Sequence, residues 1–461
     1  MRNPNWFIRG YTTQENAGDS YAATTIARQF NEVWKPSTTW YPQYVQNYLG
    51  ALMNNADNAS AHAFARAQAD KGRPLPGSTE FNTIMDRLKT IPISKGGGLF
   101  LDKSNLYMVE GQYNLGKIIP FAEVIIGGNY KHYALNSQGT IFIDTAGRIG
   151  LNEIGGYIQA SKKILNDHLT LTASGRIDKH QNFTGKFTPR FAAVIKVAEN
   201  NNIRISYQTA YRFPTTQQQY IKLAVGNKTY LLGGLPWIKD FMQMRDQPVF
   251  YASNMQPYEY KEFKPETGNS FEVGYKGLIK NKLLIDVYGY ISRFENFLGR
   301  TALFQPSSGN IYSIVTNSDN KVKTHGYGIG LNYLLSKNIT ASANFYSDKI
   351  TDVPDNFVAS YNTPPYRMNV GLIANSLGKQ KKFGFGLHYK WQDKFLFQND
   401  FATGNVDPFS TVDAQVNYKI LKNKCELRIG GTNLLNKYYK NAFGNPEFGG
   451  LYYESVKLNI L

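Results

Sequence analysis

The side chains able to do chemistry are few and poorly spaced for catalysis. The six histidines are His62, His132, His168, His180, His325 and His388. No two stand at a ligand spacing such as HExxH, so no metal centre is read. His180, two residues after Asp178, reads as a loop or lumen residue. Neither a GxSxG elbow nor a P-loop occurs. In GYGIGLNY (326–333) the glycines alternate with Tyr327, Ile329 and Leu331, which places them on a strand face rather than at the start of a helix. The single cysteine, Cys425, excludes an intrachain disulfide framework and a Cys-based zinc cluster. It opens a strand after a turn and reads as inert. The chain therefore reads as a non-enzyme with no cofactor.

Residues suited to recognition are better represented. Trp34, Trp40, Tyr41 and Tyr44 lie in one segment, and Trp237, Tyr251, Tyr258 and Tyr260 in another. Aromatic rings supply rigid area for stacking on a ligand, or for packing loops against each other. The formal charge is +17, but a nucleic-acid site needs its basic residues in one stripe. Here they disperse into turns (Lys280, Lys282, Lys379, Lys381, Lys382, Lys422, Lys424) and onto polar strand faces, so no nucleic-acid partner is expected.

The elements that position these residues follow from periodicity. With 14% aromatic residues, 18% charged residues and 41 glycines, the composition is that of a β-protein rather than a disordered chain. No apolar run reaches the roughly 18 residues of a membrane-crossing helix. Alternation of period 2 recurs: Leu169, Leu171, Ala173 and Ile177 oppose Thr170, Thr172, Ser174 and Arg176, and Ile203, Ile205 and Tyr207 oppose Arg204, Ser206 and Gln208. The segments are long, and the gaps alternate between short polar turns (166–167, 199–202, 280–282, 336–338, 378–382, 422–424) and long connections (214–265, 348–366, 398–408). A soluble sandwich shares the alternation, but long strands with short turns at one rim and long loops at the other fit a transmembrane antiparallel barrel. About 16 strands are expected, starting near Asn5, Asn105, Ala122, Glu153, Leu169, Arg190, Asn202, Ser270, Lys282, Thr324, Ile339, Arg367, Phe383, Ser410, Cys425 and Tyr452. Aromatics near strand ends (Tyr288, Tyr290, Tyr389, Trp391, Tyr438, Tyr439, Tyr452, Tyr453) read as interface girdles or as ordinary strand residues. Residues 21–92 break the pattern with helical segments, the third capped by Asn58 or Ser60 and the fourth by Ser78. Such an insert belongs outside the bilayer.

Three motifs in order resemble those of the TonB-dependent outer-membrane receptors. FTPRFAAVIKV followed by NIRISYQTAYRFPTT carries Arg212 and Pro214. KPETGNSFEVGYKG carries Pro265, Glu266, Glu272, Gly274 and Tyr275. IGGTNLLNKYY carries Asn433, Leu434, Leu435 and Tyr439. IRGYTTQENAGDSY, near the start, resembles a segment of the large Bacteroidetes branch. The resemblance implies a bacterial outer-membrane barrel of about 22 strands around a plug. It would import a scarce nutrient, such as a siderophore, cobalamin, glycan or peptide, with energy delivered by the TonB complex. It implies that these motif residues are structural. Against it, residues 1–461 read as the barrel portion alone, about 16 of about 22 strands, without signal peptide, plug or TonB box, and with residues 21–92 as an extracellular insert. The alternatives are a passive porin-like or surface-binding barrel and an extracellular β-rich glycan-binding module.

Three expectations follow. Leu169, Leu171, Ile177, Ile203, Ile205 and Tyr207 face lipid, while Thr170, Arg176, Arg204 and Gln208 face a polar lumen. The turns at 280–282 and 422–424 lie on the periplasmic side. The sheet is open between strands 5–13 and 452–461.

Overall fold

The computed structural model describes residues 2–3, 5–17, 21, 23–226, 228–399, 402–420 and 424–458. Sixteen strands form the wall: β1 (Trp6–Gln14), β2 (Asn105–Asn114), β3 (Glu123–Leu135), β4 (Ile149–Ile164), β5 (Leu169–His180), β6 (Lys186–Ala198), β7 (Asn201–Arg212), β8 (Glu266–Ile279), β9 (Leu283–Glu295), β10 (Val322–Ser336), β11 (Ile339–Thr351), β12 (Tyr366–Leu377), β13 (Phe383–Gln392), β14 (Phe409–Ile420), β15 (Cys425–Thr432) and β16 (Leu451–Leu458). Each pairs antiparallel with the next in one continuous meander, and Arg2–Asn3 adds a short ribbon to β1. Each strand starts within four residues of its expected start, with β4, β6 and β8 each beginning four residues earlier.

The short turns need backbone conformations that side chains rarely adopt. Asn166 and Asp167, Lys280 and Asn281, and Asn200 all have positive φ. Consecutive positive φ at Lys280 and Asn281 is the signature of a tight hairpin turn whose twist matches its strands. Residues 422 and 423 of the last expected turn lie outside the described residues, as do residues 459–461 of the last strand.

The two faces of the wall differ in kind. Leu171, Ile177, Ile205 and Tyr207 are exposed on the outer face, with Phe187, Phe191 and Phe271 beside them. The inner face carries ion pairs and close glycine contacts. At Gly328 a β-carbon would sit 2.4 Å from the Tyr288 ring, so the glycine is the recess that holds the ring. Tyr288 and Tyr290 thus belong to the inner face rather than to an interface girdle: Tyr290 donates to Asp348 (2.6 Å). Tyr453 likewise donates to Gln415 (3.0 Å). Among the described residues β16 pairs only with β15, and no ladder joins it to β1; β16 is exposed along its whole length. Among the described residues the wall is open there, as expected from about 16 strands of a barrel that the resemblance puts at about 22.

Loops 213–265 and 296–321 hold more structure than expected. They contain α5 (Thr216–Tyr220), α6 (Pro236–Phe241) and a five-stranded sheet in the order Phe250–Tyr251, Leu298–Gln305, Asn310–Asn317, Thr229–Leu232, Lys222–Gly226. One pair in it, Thr229–Leu232 with Asn310–Asn317, is parallel, so it joins two loops far apart in sequence. Leu232, Ile238, Met244, Leu303 and Ile314 form its buried core, which continues onto Leu135 and Leu151 of the wall. In the insert, α1 (Ala23–Trp34) packs on α4 (Thr79–Thr90) through Ile26, Phe30 and Leu88, and α2 (Ser37–Met53) lies against the alanine face of α3 (Asn58–Ala69). Ser78 caps α4 as expected, but the α3 cap is Asp57, which accepts the backbone N–H of Ser60 (3.0 Å). A carboxylate at that position satisfies an orphan N–H and favours the positive helix end. No described helix is long and apolar enough to cross a membrane.

Candidate functional site: inner wall, mouth and helical insert

Alternation places every second side chain of a wall strand inside, and the inner charges compensate each other. Arg204 on β7 reaches Glu272 on β8 (3.0 Å) and Asp286 on β9 (2.9 Å). Gly274 makes this possible: a β-carbon there would lie 2.6 Å from the Arg204 guanidinium carbon. Arg176 bonds Asp178 on its own strand (2.6 Å) and Asn129 (2.6 Å). Lys131 pairs with Glu153 (2.7 Å), Arg367 with Asp348, and Lys390 with Asp413 (2.7 Å). The inner surface is therefore polar and close to locally neutral, and the overall basic charge is not concentrated there.

The motif residues come together as structural pairs. Arg212 at the end of β7 meets Glu266 at the start of β8 (3.0 Å), and Glu266 also accepts the Leu298 N–H (2.9 Å), which ties the wall to loop 296–321. Pro214 and Pro265 are buried beside them, and the Pro214 carbonyl accepts the Gln219 amide (2.6 Å). Asn433, buried with positive φ, closes the turn after β15 by donating its side-chain amide to the Lys437 carbonyl (2.9 Å) and its backbone N–H to an Asp413 carboxylate oxygen (2.9 Å). Leu434 donates its N–H to the Val412 carbonyl (2.8 Å). Tyr439 stacks on Phe409 at 4.1 Å. His180 is buried against Phe183 and Phe213, and no metal-binding cluster occurs among the described residues.

The two aromatic groups differ in fate. Tyr251, Tyr258 and Tyr260 form an edge-to-face row, with Tyr258 buried and the Tyr260 hydroxyl donating to the Met244 carbonyl (2.6 Å). These three pack the mouth loops together, and only Trp237 stays exposed, beside Tyr220. In the insert, Trp34, Trp40 and Tyr41 do converge, on a groove of about 460 Å³. Tyr44 stacks on Trp40 (5.0 Å) and its hydroxyl meets His62 Nδ1 (2.5 Å). The groove also holds Arg28, Arg66 and Arg73, which the aromatic pattern did not single out. Arg66 and Asp70, four apart on one helix face, were the available signal. Burial pushes the Asp70 carboxyl up, but hydrogen bonds from Arg66 (2.6 Å) and the Trp40 indole (2.8 Å) outweigh this and hold it below the ordinary range. The result is a groove with aromatic walls and guanidinium donors.

Comparison with known proteins agrees with this architecture. The siderophore receptor PirA from Acinetobacter baumannii is similar at a TM-score of 0.59 and 14% identity, over 79% of this chain and 57% of that one. The FrpB iron transporter from Neisseria meningitidis (F3-3 variant) gives 0.56 and 15%, over 78% and 56%. A mutant of the ferric enterobactin receptor PfeA from Pseudomonas aeruginosa gives 0.58 and 13%, over 78% and 54%. The chain thus spans a little over half the length of these solved structures, and at such identity the likeness concerns the fold. No curated protein sequence matches. The family described as TonB dependent receptor-like, beta-barrel matches residues 2–434, and the chain belongs to that family of outer-membrane barrels.

Proposed function

We propose that this chain is the membrane-spanning wall of a receptor that binds a scarce nutrient outside the cell and admits it with energy from the TonB complex. The observation that carries the reading is the single 16-stranded wall with an apolar outer face, a polar inner face and a folded cap on its long-loop rim. An apolar outer face fits lipid, and an ion-paired inner face fits an aqueous path or a plug domain. The long loops and residues 21–92 lie outside the cell in this reading, and the short turns face the periplasm. The open edge between β16 and β1 is where further strands of a larger barrel, with its plug, would seal the wall. Ligand capture falls to the mouth and to the Trp34, Trp40 and Tyr41 groove. The similar solved structures include a siderophore receptor and an iron transporter, so ferric siderophores head the ligand classes to test, before cobalamin, glycans and peptides.

Growth of a gene-deletion strain on each nutrient as sole source tests this. The expected result is failure on one class at scarce supply, restored by the intact gene and not by the gene in TonB-deficient cells. Normal growth on every class would overturn the reading.

A further inference from the structure

The outer face of the wall is not apolar up to its long-loop rim. Strand register sorts its side chains into rows. One row runs Phe271, Ile291, His325, Lys349 across β8 to β11. The next row towards the loops runs Asn269, Arg293, Lys323, Thr351. The row below is Val273, Gly289, Tyr327, Ser347, meeting Tyr366 on β12. Arg293, Lys323, His325 and Lys349 are all exposed. Neighbouring strands lie about 4.8 Å apart, so these four groups share a patch only three strands wide. Arg293, Lys323 and His325 line a surface hollow of about 450 Å³ whose floor includes Phe271 and Ile291.

The patch has a built geometry. Lys349 donates to the Tyr366 hydroxyl (2.9 Å) and its ammonium lies 4.9 Å from that ring, which holds the amine at the edge of the aromatic row. Lys323 is paired with Asp352 (2.9 Å), and Glu295, on the same face, is taken up by Lys321 (2.6 Å). Among the described residues Arg293 makes no ion pair, so the patch keeps a net positive charge.

We infer that this patch binds the phosphate of an anionic lipid headgroup, with the acyl chains lying on the Phe271, Ile291 and Tyr327 surface beneath it. Tyrosines mark the level where a membrane's apolar layer ends. Basic groups one row (His325, Lys349) and two rows (Arg293, Lys323) above that level meet headgroup phosphates, where each contributes to attraction. Guanidinium suits phosphate because it offers two parallel donors. A water-soluble anion would have no use for the apolar floor. The inference rests on the membrane reading of the wall, not on the nature of the nutrient.

The test uses the full-length receptor purified in a neutral detergent, with native mass spectrometry reading bound phosphatidic acid against phosphatidylcholine. The expected result is retention of phosphatidic acid at least ten-fold above phosphatidylcholine, reduced ten-fold or more by combining Arg293→Gln, Lys323→Gln and Lys349→Gln. Arg293→Gln alone, which breaks no ion pair, should lower retention several-fold if the triple variant fails to assemble. Arg66→Gln, in the helical insert, should have no effect. Equal retention of both lipids, an unchanged triple variant, or competition by inorganic phosphate at concentrations matching the lipid would overturn the inference. Nutrient uptake that survives the triple variant leaves the receptor reading standing, so the two failures are distinguishable.

Discussion

Ile205 and Ser206 are chain neighbours with opposite surroundings. Ile205 is exposed on the apolar outer face beside Phe191 and Phe271, while Ser206 faces inward opposite Glu272. A charge on a lipid face costs about 2–4 kcal/mol at the midplane. Ile205→Arg should therefore reduce folded, heat-modifiable receptor in the outer membrane, and Ser206→Arg should leave it near the wild-type level. Equal losses would contradict the face assignment. Gly274 offers a second case. Gly274→Val forces the Arg204 guanidinium away from Glu272 and Asp286, so melting should drop, and the drop should shrink in an Arg204→Ala background. Contacting residues show such non-additivity at roughly 0.5–3 kcal/mol, and strict additivity of the two changes would rule the contact out. Face alternation was legible because a period of 2 survives in any single strand. The partner of Arg204 was not, because Asp286 lies two strands away and only register brings it in.

Turns and helices were legible from local chemistry, as Ser78 and the Lys280–Asn281 turn illustrate. The folded loop cap was not, since its sheet pairs Thr229–Leu232 with Asn310–Asn317 across a long separation, and neither segment alternates clearly. Nor did local pattern distinguish Asp57 from Asn58 as the α3 cap, because both residue types serve equally well there. The topology of the turns is open to labelling: Asn281→Cys should resist an impermeant thiol reagent on intact cells and react once the outer membrane is permeabilised, and reaction on intact cells would invert the wall. The cap carries one strained group. Lys239 on α6 is buried beneath the Tyr260 ring. Burial, with Arg245 adding repulsion, pushes its amine from 10.5 down to about 8. Between those values the unfolded chain holds a proton that the folded chain has released, so stability rises with pH through that window. Below about pH 8 the full penalty applies, on the order of 3 kcal/mol from that shift. Lys239→Met should raise the melting temperature of the cap, read by Trp237 fluorescence, more at pH 7 than at pH 10. An equal gain at both would mean that packing rather than charge is responsible.

At the scale of the whole molecule, strand number was legible because it depends only on counting alternations and turns, whereas the open edge was expected from setting that count of about 16 against the about 22 strands that the family resemblance implies. The ligand was not, since the wall's inner pairs serve strength and register and the groove in the insert gives only general chemistry. In the function we propose, an energised receptor rather than a passive pore is built on this wall, and uptake distinguishes the two. That proposal is tested most directly by the initial rate of uptake of the identified nutrient, in matched cells with and without TonB, across a wide range of external concentration. An energised receptor gives a rate that saturates at low concentration and collapses without TonB. A rate that rises linearly with concentration and is indifferent to TonB would contradict it and make the wall a passive channel.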